Sequence, residues 1–269
     1  MLYQVLAETY EKLEETPSRL AKIEIIAELI ETAPNEIMTD LVLLSRGKIF
    51  APWTMKEMEF GMSYLMEAIR KATGSGKKEL VQKIKELGDI GKAAEWAVEH
   101  RKQQLLNVEP LVVEDVIQNL RKISEISGAG TVEKKVNLVA QLFSRTNPLE
   151  ARYLARTITE ELRIGVGEGV VRDAIAKVFS IESSRIDKAY ALTNDLGAIA
   201  KMLREGSSLE KLKVEVGRPI KVMLAQKTET IEEGLEAMGG TAGLEYKYDG
   251  FRVQIHKRGG SIKLYTRRL

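Results

Sequence analysis

One repeat constrains the fold of this chain more than any other feature. Asp89-Ile90-Gly91-Lys92-Ala93-Ala94 resembles Asp195-Leu196-Gly197-Ala198-Ile199-Ala200, and Glu67-Ala68-Ile69-Arg70-Lys71 resembles Asp173-Ala174-Ile175-Ala176-Lys177. Both pairs share a 106-residue offset, 89 to 195 and 67 to 173. A third pair, Thr32-Ala33-Pro34-Asn35-Glu36 and Thr146-Asn147-Pro148-Leu149-Glu150, follows in the same order. The repeated segments have helical character, so the chain is expected to build two similar helical halves related by a pseudo-two-fold axis.

The hydrophobic pattern supports helices. Leu20, Ile23, Ile26, Ala27 and Ile30 recur at three- and four-residue spacing, as do Val136, Val139, Ala140 and Phe143. Thr16-Pro17-Ser18, Asn147-Pro148-Leu149-Glu150 and Thr193-Asn194-Asp195 read as helix starts. Trp53 and Trp96 are expected in the core, and Met55, Met58, Met62 and Met66 along one packing helix face. After Lys213 the pattern changes. Alternation around Gly217-Arg218-Pro219 suggests a linker and a strand, and Ile231 to Met238 a short helix ending at Gly239-Gly240. Leu244 to Lys247, Phe251 to His256 and Ser261 to Arg267 read as strands, the last two joined by a hairpin at Arg258-Gly259-Gly260. The fold class is therefore mainly α: a helical domain over 1–213, then a linker and the start of an α+β domain over 214–269. That second piece is too short to close its own core, so the chain is expected to stop inside a domain.

Composition removes several functions. With no cysteine and two histidines, thiolate or multi-histidine metal sites and a catalytic cysteine are excluded. The acidic, amphipathic N-terminus is unlike a signal peptide, and no apolar run is long enough for a membrane span, so a soluble intracellular protein is expected. The net charge of +2 is unevenly spread: residues 1–106 carry about −2 and residues 121–213 about +4. A polyanion should meet the second region. Two segments there fit phosphate binding. Ser127-Gly128-Ala129-Gly130-Thr131 places small residues before a helix, with Lys134 and Lys135 in its first turn. Arg163-Ile164-Gly165-Val166-Gly167 precedes a second helix. Free N–H groups at helix starts bind anions where the backbone can be approached closely. The place in the first half that matches Gly128 and Gly130 reads Glu14-Glu15-Thr16-Pro17-Ser18, acidic and without glycine. No base-reading constellation is visible.

The sharpest chemical signal is Glu245-Tyr246-Lys247-Tyr248-Asp249-Gly250-Phe251-Arg252. It resembles the active-site motif of the covalent nucleotidyltransferases, the family of DNA ligases, RNA ligases and capping enzymes. Arg218-Pro219-Ile220-Lys221-Val222-Met223-Leu224-Ala225 resembles the opening of the adenylation domain in ATP-dependent DNA ligases. Gly47-Lys48-Ile49-Phe50-Ala51-Pro52, Gly88-Asp89-Ile90-Gly91 and Leu162-Arg163-Ile164-Gly165-Val166-Gly167-Glu168 resemble the DNA-binding domain of replicative ligases, nearest the archaeal form. The resemblance spans essentially the whole chain.

The resemblance implies an enzyme that seals nicks in duplex DNA through a lysyl-AMP intermediate, with ATP and Mg²⁺ as cofactors. Lys247 would be the nucleophile, and it must lose its proton, which burial and nearby cations favour. Glu245, two residues earlier on the same strand face, would accept a hydrogen bond from the adenine amine. Arg252 and Arg267, the latter in the Tyr265-Thr266-Arg267-Arg268 segment, would contact the nucleotide, and Gly250 would let the backbone turn beside it. Gly128, Gly130, Thr131, Lys134, Arg163, Gly165 and Gly167 would hold DNA. Nicked duplex DNA is the expected partner, with a sliding clamp as a second, for a monomer without membrane association in the cytoplasm at the nucleoid. The alternatives are a DNA-binding module only, or another lysyl-nucleotide enzyme such as an RNA ligase.

Overall fold

The computed structural model describes residues 1–102, 109–128, 130–222 and 226–266. The first six α-helices are α1 (Tyr3–Glu15), α2 (Arg19–Thr32), α3 (Met38–Leu44), α4 (Met62–Thr73), α5 (Lys77–Leu87) and α6 (Ile90–Glu99). The next six are α7 (Val113–Glu125), α8 (Thr131–Arg145), α9 (Pro148–Ile158), α10 (Glu168–Val178), α11 (Ser183–Thr193) and α12 (Leu196–Arg204). The starts of α4, α5 and α6 (62, 77, 90) recur at α10, α11 and α12 (168, 183, 196), which is the 106-residue offset of the sequence repeat. After residue 212 follow α13 (Ile231–Ala237) and the antiparallel pair β1 (Gln254–Arg258) and β2 (Ser261–Tyr265), turned through Gly259 and Gly260.

The two halves exchange helices. α10 packs on α2 and α12 on α3, while α4 packs on α8 and α6 on α9. Each packed unit therefore takes its first helices from one half of the sequence and its last three from the other. The pseudo-axis passes where the two halves begin: Leu2, before α1, pairs antiparallel with Val112, before α7. Tyr3 N donates to Leu111 O at 2.8 Å and Val113 N to Met1 O at 2.9 Å.

The repeated Asp-x-Gly blocks explain the exchange. Asp89 and Asp195 cap α6 and α12, accepting from Gly91 N and Lys92 N in one and from Ala198 N in the other. The glycines that follow permit helix contact at backbone distance. A Cβ on Gly91 would lie 2.7 Å from Arg152 O of α9, and one on Gly197 would lie 2.6 Å from Thr39 O of α3. At the far ends, Arg101 donates to Ser144 O and Thr146 O at the C-terminus of α8, and Arg204 to Ile30 O and Ala33 O at the C-terminus of α2. Both arginines thus satisfy carbonyls where the helix dipole is negative.

Arg156 of α9 is the most buried charge. Its side chain is 2% exposed, and it meets Asp89 at 2.7 Å and Glu14 of α1 at 2.7 Å. Burial works against the guanidinium charge, but the two carboxylates outweigh it and keep it protonated. The Arg156 hydrogen bond holds the Glu14 carboxyl below its usual range. Burial would raise Asp89, yet Arg156 and the cap N–H groups hold it low as well.

Some expectations change. Trp53 lies half-buried in a short 3-10 helix, Pro52–Thr54, and Trp96 is half-buried at the core edge, stacked on His100 at 4.9 Å. The four methionines do not share a helix: Met55 is left-handed (φ 56°) and exposed, Met58 is buried in the following loop, and α4 begins only at Met62. Leu20 faces outward, because α2 buries the side carrying Ile23, Ile26 and Ile30. Leu244 to Lys247 form no strand, and neither does 214–222.

Arg156→Met should cost about 3–5 kcal/mol in urea unfolding, because two part-buried carboxylates lose their cation. Since Asp89 and Glu14 titrate low in the folded state, their contribution is complete above about pH 4 and is lost as pH falls through the folded values. The wild-type melting temperature should therefore drop on acidification below about pH 4. The Arg156→Met variant should show a shallower drop.

Candidate nucleic-acid interface and nucleotidyl segment

Helices that begin without a side-chain cap leave N–H groups unpaired at a positive dipole end. α8 begins this way. Gly130 caps it at φ 73° and Gly128 precedes it at φ 88°, and a Cβ on either would meet nothing within 4 Å. Thr131 Oγ1 donates to Gly128 O and closes the turn. Lys134 is exposed and Lys135 half-buried beside it. Ala129 lies outside the described residues.

α10 begins at a second such turn. Arg163 (φ 58°) and Gly165 (φ 66°) are left-handed, and Gly167 caps the helix without a side-chain bond. The turn lines a shallow groove of about 340 Å³ together with Arg46, Glu160 and Glu161. Arg163 is half exposed. Its guanidinium is held by Glu161 at 2.7 Å and Asp89 at 3.4 Å, so it ties the turn to the buried Arg156 cluster.

The start of α2 lies against this turn. Lys22 Nζ donates to Ile164 O at 2.5 Å, and Arg19 reaches Gly169 O at 3.4 Å and pairs with Asp173. Lys22 and Lys134 are the fourth residues of α2 and α8, which occupy equivalent places in the two halves. Sequence reading missed Lys22 and Arg19 because Glu14 and Glu15 made the region look acidic. Glu14 is turned inward, to Arg156 and to Tyr153 Oη at 2.7 Å. The signal that would have found Lys22 was the repeat itself.

The helix start in the first half that matches α10, that of α4, keeps part of the shape of the α10 turn and reverses its charge. Offset by 106, Glu57-Met58-Glu59-Phe60-Gly61 matches Arg163-Ile164-Gly165-Val166-Gly167. Glu59 is left-handed (φ 49°) like Gly165, Met58 is buried like Ile164, and Gly61 caps as Gly167 does. Two carboxylates there oppose a phosphate, so the two halves are electrostatically unequal.

Lys247 lies elsewhere. Residues 241–253 contain no helix or strand, and Glu245, Lys247 and Arg252 are all exposed. Among the described residues no hydrogen bond or ion pair ties these three to another group. Leu244, Tyr246, Tyr248 and Phe251 are 88–96% exposed, so nothing described here covers the segment. A strand needs a ladder partner and a face to bury. Leu244 to Lys247 pair with neither β1 nor β2, which pair with each other. The burial expected around Lys247 is therefore not met, although Gly250 at φ 142° does adopt a backbone open chiefly to glycine. Arg267 lies outside the described residues. Among the described residues no group of three acidic, histidine or cysteine side chains could hold a metal, and no helix is long and apolar enough to cross a membrane.

Two family models match the chain: one described as DNA ligase N terminus over residues 2–176, and one described as ATP dependent DNA ligase domain over residues 222–269. Among curated relatives, a DNA ligase of Methanothermobacter thermautotrophicus is 42% identical over 271 residues, covering 100% of this chain and 48% of that protein. DNA ligases of Thermococcus onnurineus and Methanopyrus kandleri are 37% and 38% identical, each over 100% of this chain and 48% and 49% of their own lengths. The chain spans about half the length of these relatives.

Proposed function

Since the chain belongs to the DNA ligase N-terminus family, we propose that it is the DNA-holding and lysine-bearing portion of an ATP-dependent DNA ligase. The observation that carries the DNA reading is the set of uncapped, glycine-opened helix starts at α8 and α10, flanked by Lys134 and Lys22. Gly128, Gly130, Thr131, Gly165 and Gly167 would offer backbone N–H groups to phosphates. Arg163 would act by fixing the second turn. Such contacts recognise the backbone and not the bases, as an enzyme that seals nicks of any sequence requires. The pseudo-axis relates Lys22 to Lys134, so the two would meet phosphates on opposite strands of nicked duplex DNA.

The chemical reading rests on the match over 222–269 and on the Lys247 motif. Lys247 Nζ would attack the α-phosphate of ATP and release pyrophosphate. AMP would pass to the 5′-phosphate at the nick, and the 3′-hydroxyl would then displace it. Glu245 has the acceptor chemistry for the adenine amine and Arg252 the donors for phosphate or ribose. Mg²⁺ would supply stabilisation of phosphoryl charge. Among the described residues no cluster of side chains fits that ion. The exposure of Lys247 favours a second reading for the chain alone, a DNA-binding module without turnover. The division of the chain at residue 213 rests on the end of helical patterning. The sliding clamp, the monomeric state and the nucleoid location rest on resemblance.

The chain should bind nicked and intact duplex DNA of any sequence, with affinity falling steeply with salt. Lys22→Ala and Lys134→Ala should each lower the slope of log K against log salt by about 1. Gly128→Val with Gly130→Val should weaken binding while circular dichroism shows unchanged helicity. A lysine pair that leaves the salt slope intact would remove both residues from the interface.

In the full-length protein, Lys247→Ala should abolish transfer of label from α-labelled ATP to protein and spare DNA binding. Arginine should not rescue, because guanidinium keeps its proton. Glu245→Ala should lower the preference for ATP over GTP, and an unchanged preference would rule out the assigned contact with adenine.

A further inference from the structure

Residues 216–221 are bonded on both sides. Toward the helices, Lys221 N donates to Ala191 O at 2.8 Å, and buried Asn194, left-handed at the end of α11, donates to Pro219 O. Arg218 lies over the Trp53 ring at 4.8 Å, and Trp53 Nε1 donates to the α12 cap Asp195 at 3.4 Å. Toward the hairpin, Gly217 N donates to His256 Nδ1 at 2.8 Å, Gln254 bonds both backbone groups of Ile220, and Tyr265 Oη donates to Gly217 O at 2.7 Å. The segment is a docked strap joining the hairpin to the helical body.

The strap ends on Glu168, the first residue of α10 and the neighbour of Gly167. The carboxylate accepts from Arg46 at 2.9 Å, Tyr190 Oη at 2.8 Å and Lys221 Nζ. Burial would raise Glu168, but Lys221, Tyr190 and Arg46 hold it below its ordinary range. The cluster carries one negative and two positive charges, a net +1, beside the α10 turn. Without Lys221 the balance is zero, and the carboxylate next to the Gly167 cap keeps only its Arg46 and Tyr190 partners.

We propose that Glu168 is a positioning residue that couples strap docking to phosphate binding: Lys221 both latches the strap and neutralises the carboxylate beside the α10 turn. The coupling rests on the reading of that turn as a DNA contact, whereas the latch stands on its own contacts. Arg218 on Trp53 is the second point of attachment.

The cysteine-free chain allows spin labels at Lys188→Cys on α11 and Lys263→Cys on β2. Pulsed dipolar spectroscopy should give one narrow distance distribution in the parent and a broad one when Arg218→Ala and Lys221→Met are combined. An unchanged narrow distribution overturns the latch. Binding of a nicked duplex by Lys221→Met should weaken by roughly three- to tenfold, and adding Glu168→Gln should restore it, since Arg46 then leaves a net +1. Had Lys221 touched DNA directly, the double variant would stay weak, and that result overturns the coupling. A parent chain that binds no DNA overturns the coupling together with the DNA reading, while the distance measurement still decides the latch.

Discussion

Asp89 carries more of this structure than any other side chain. It caps α6, accepts from the buried Arg156 of α9 and meets Arg163 at the edge of the α10 turn. Arg156 reaches on to Glu14 of α1. Three stretches distant in sequence, α1, α6 and the run from α9 to the α10 turn, thus share one ion network. Such networks add little net stability compared with apolar packing, but breaking one leaves charges without partners. Its strength is geometric. A guanidinium that must satisfy two carboxylates fixes α1, α6 and α9 together, and it sets the anchor of Arg163 and so the shape of the α10 turn.

From that frame the surface follows. The two halves repeat as backbone and diverge as chemistry. Equivalent turns precede α4 and α10 and share one left-handed position, Glu59 and Gly165, yet one displays Glu57 and Glu59 where the other displays Arg163 and Gly165. A symmetric grip would suit a symmetric ligand. A body with one reversed turn presents unequal charge at its two equivalent turns.

Much of this was legible in residues. The 106-residue repeat announced the halves, and each Asp-x-Gly block is both a cap and a close contact. Gly128, Gly130 and Gly167 leave open space where a side chain would stand, whereas Lys22 Nζ already fills the place beside Gly165. What could not be read was direction. Glu14 counts as a surface charge in the sequence and is an inward ligand of Arg156. Lys22 looks like one more lysine until α2 is laid against α10. Arg163, expected to face a phosphate, is half exposed and also meets Asp89. Trp53, expected in the core, is a shelf for Arg218. Around Lys247 the alternation suggested a strand, but alternation gives a strand only where another strand pairs with it and a face is buried, and Leu244 to Lys247 pair with neither β1 nor β2 and stay exposed.

The exchange of helices also bears on how the polypeptide comes off the ribosome. α4, α5 and α6 are finished by residue 99, yet α4 and α6 bury their faces on α8 and α9, which end at residue 158. α2 and α3 wait longer, for α10 and α12, the last of which ends at residue 204. Neither unit can close on the first hundred residues. The nascent chain must hold paired apolar faces open until most of the helical region has been made. Contacts of such long sequence separation slow folding and lengthen exposure to aggregation. Once closed, the same interleaving means that neither half can peel away without unpacking both.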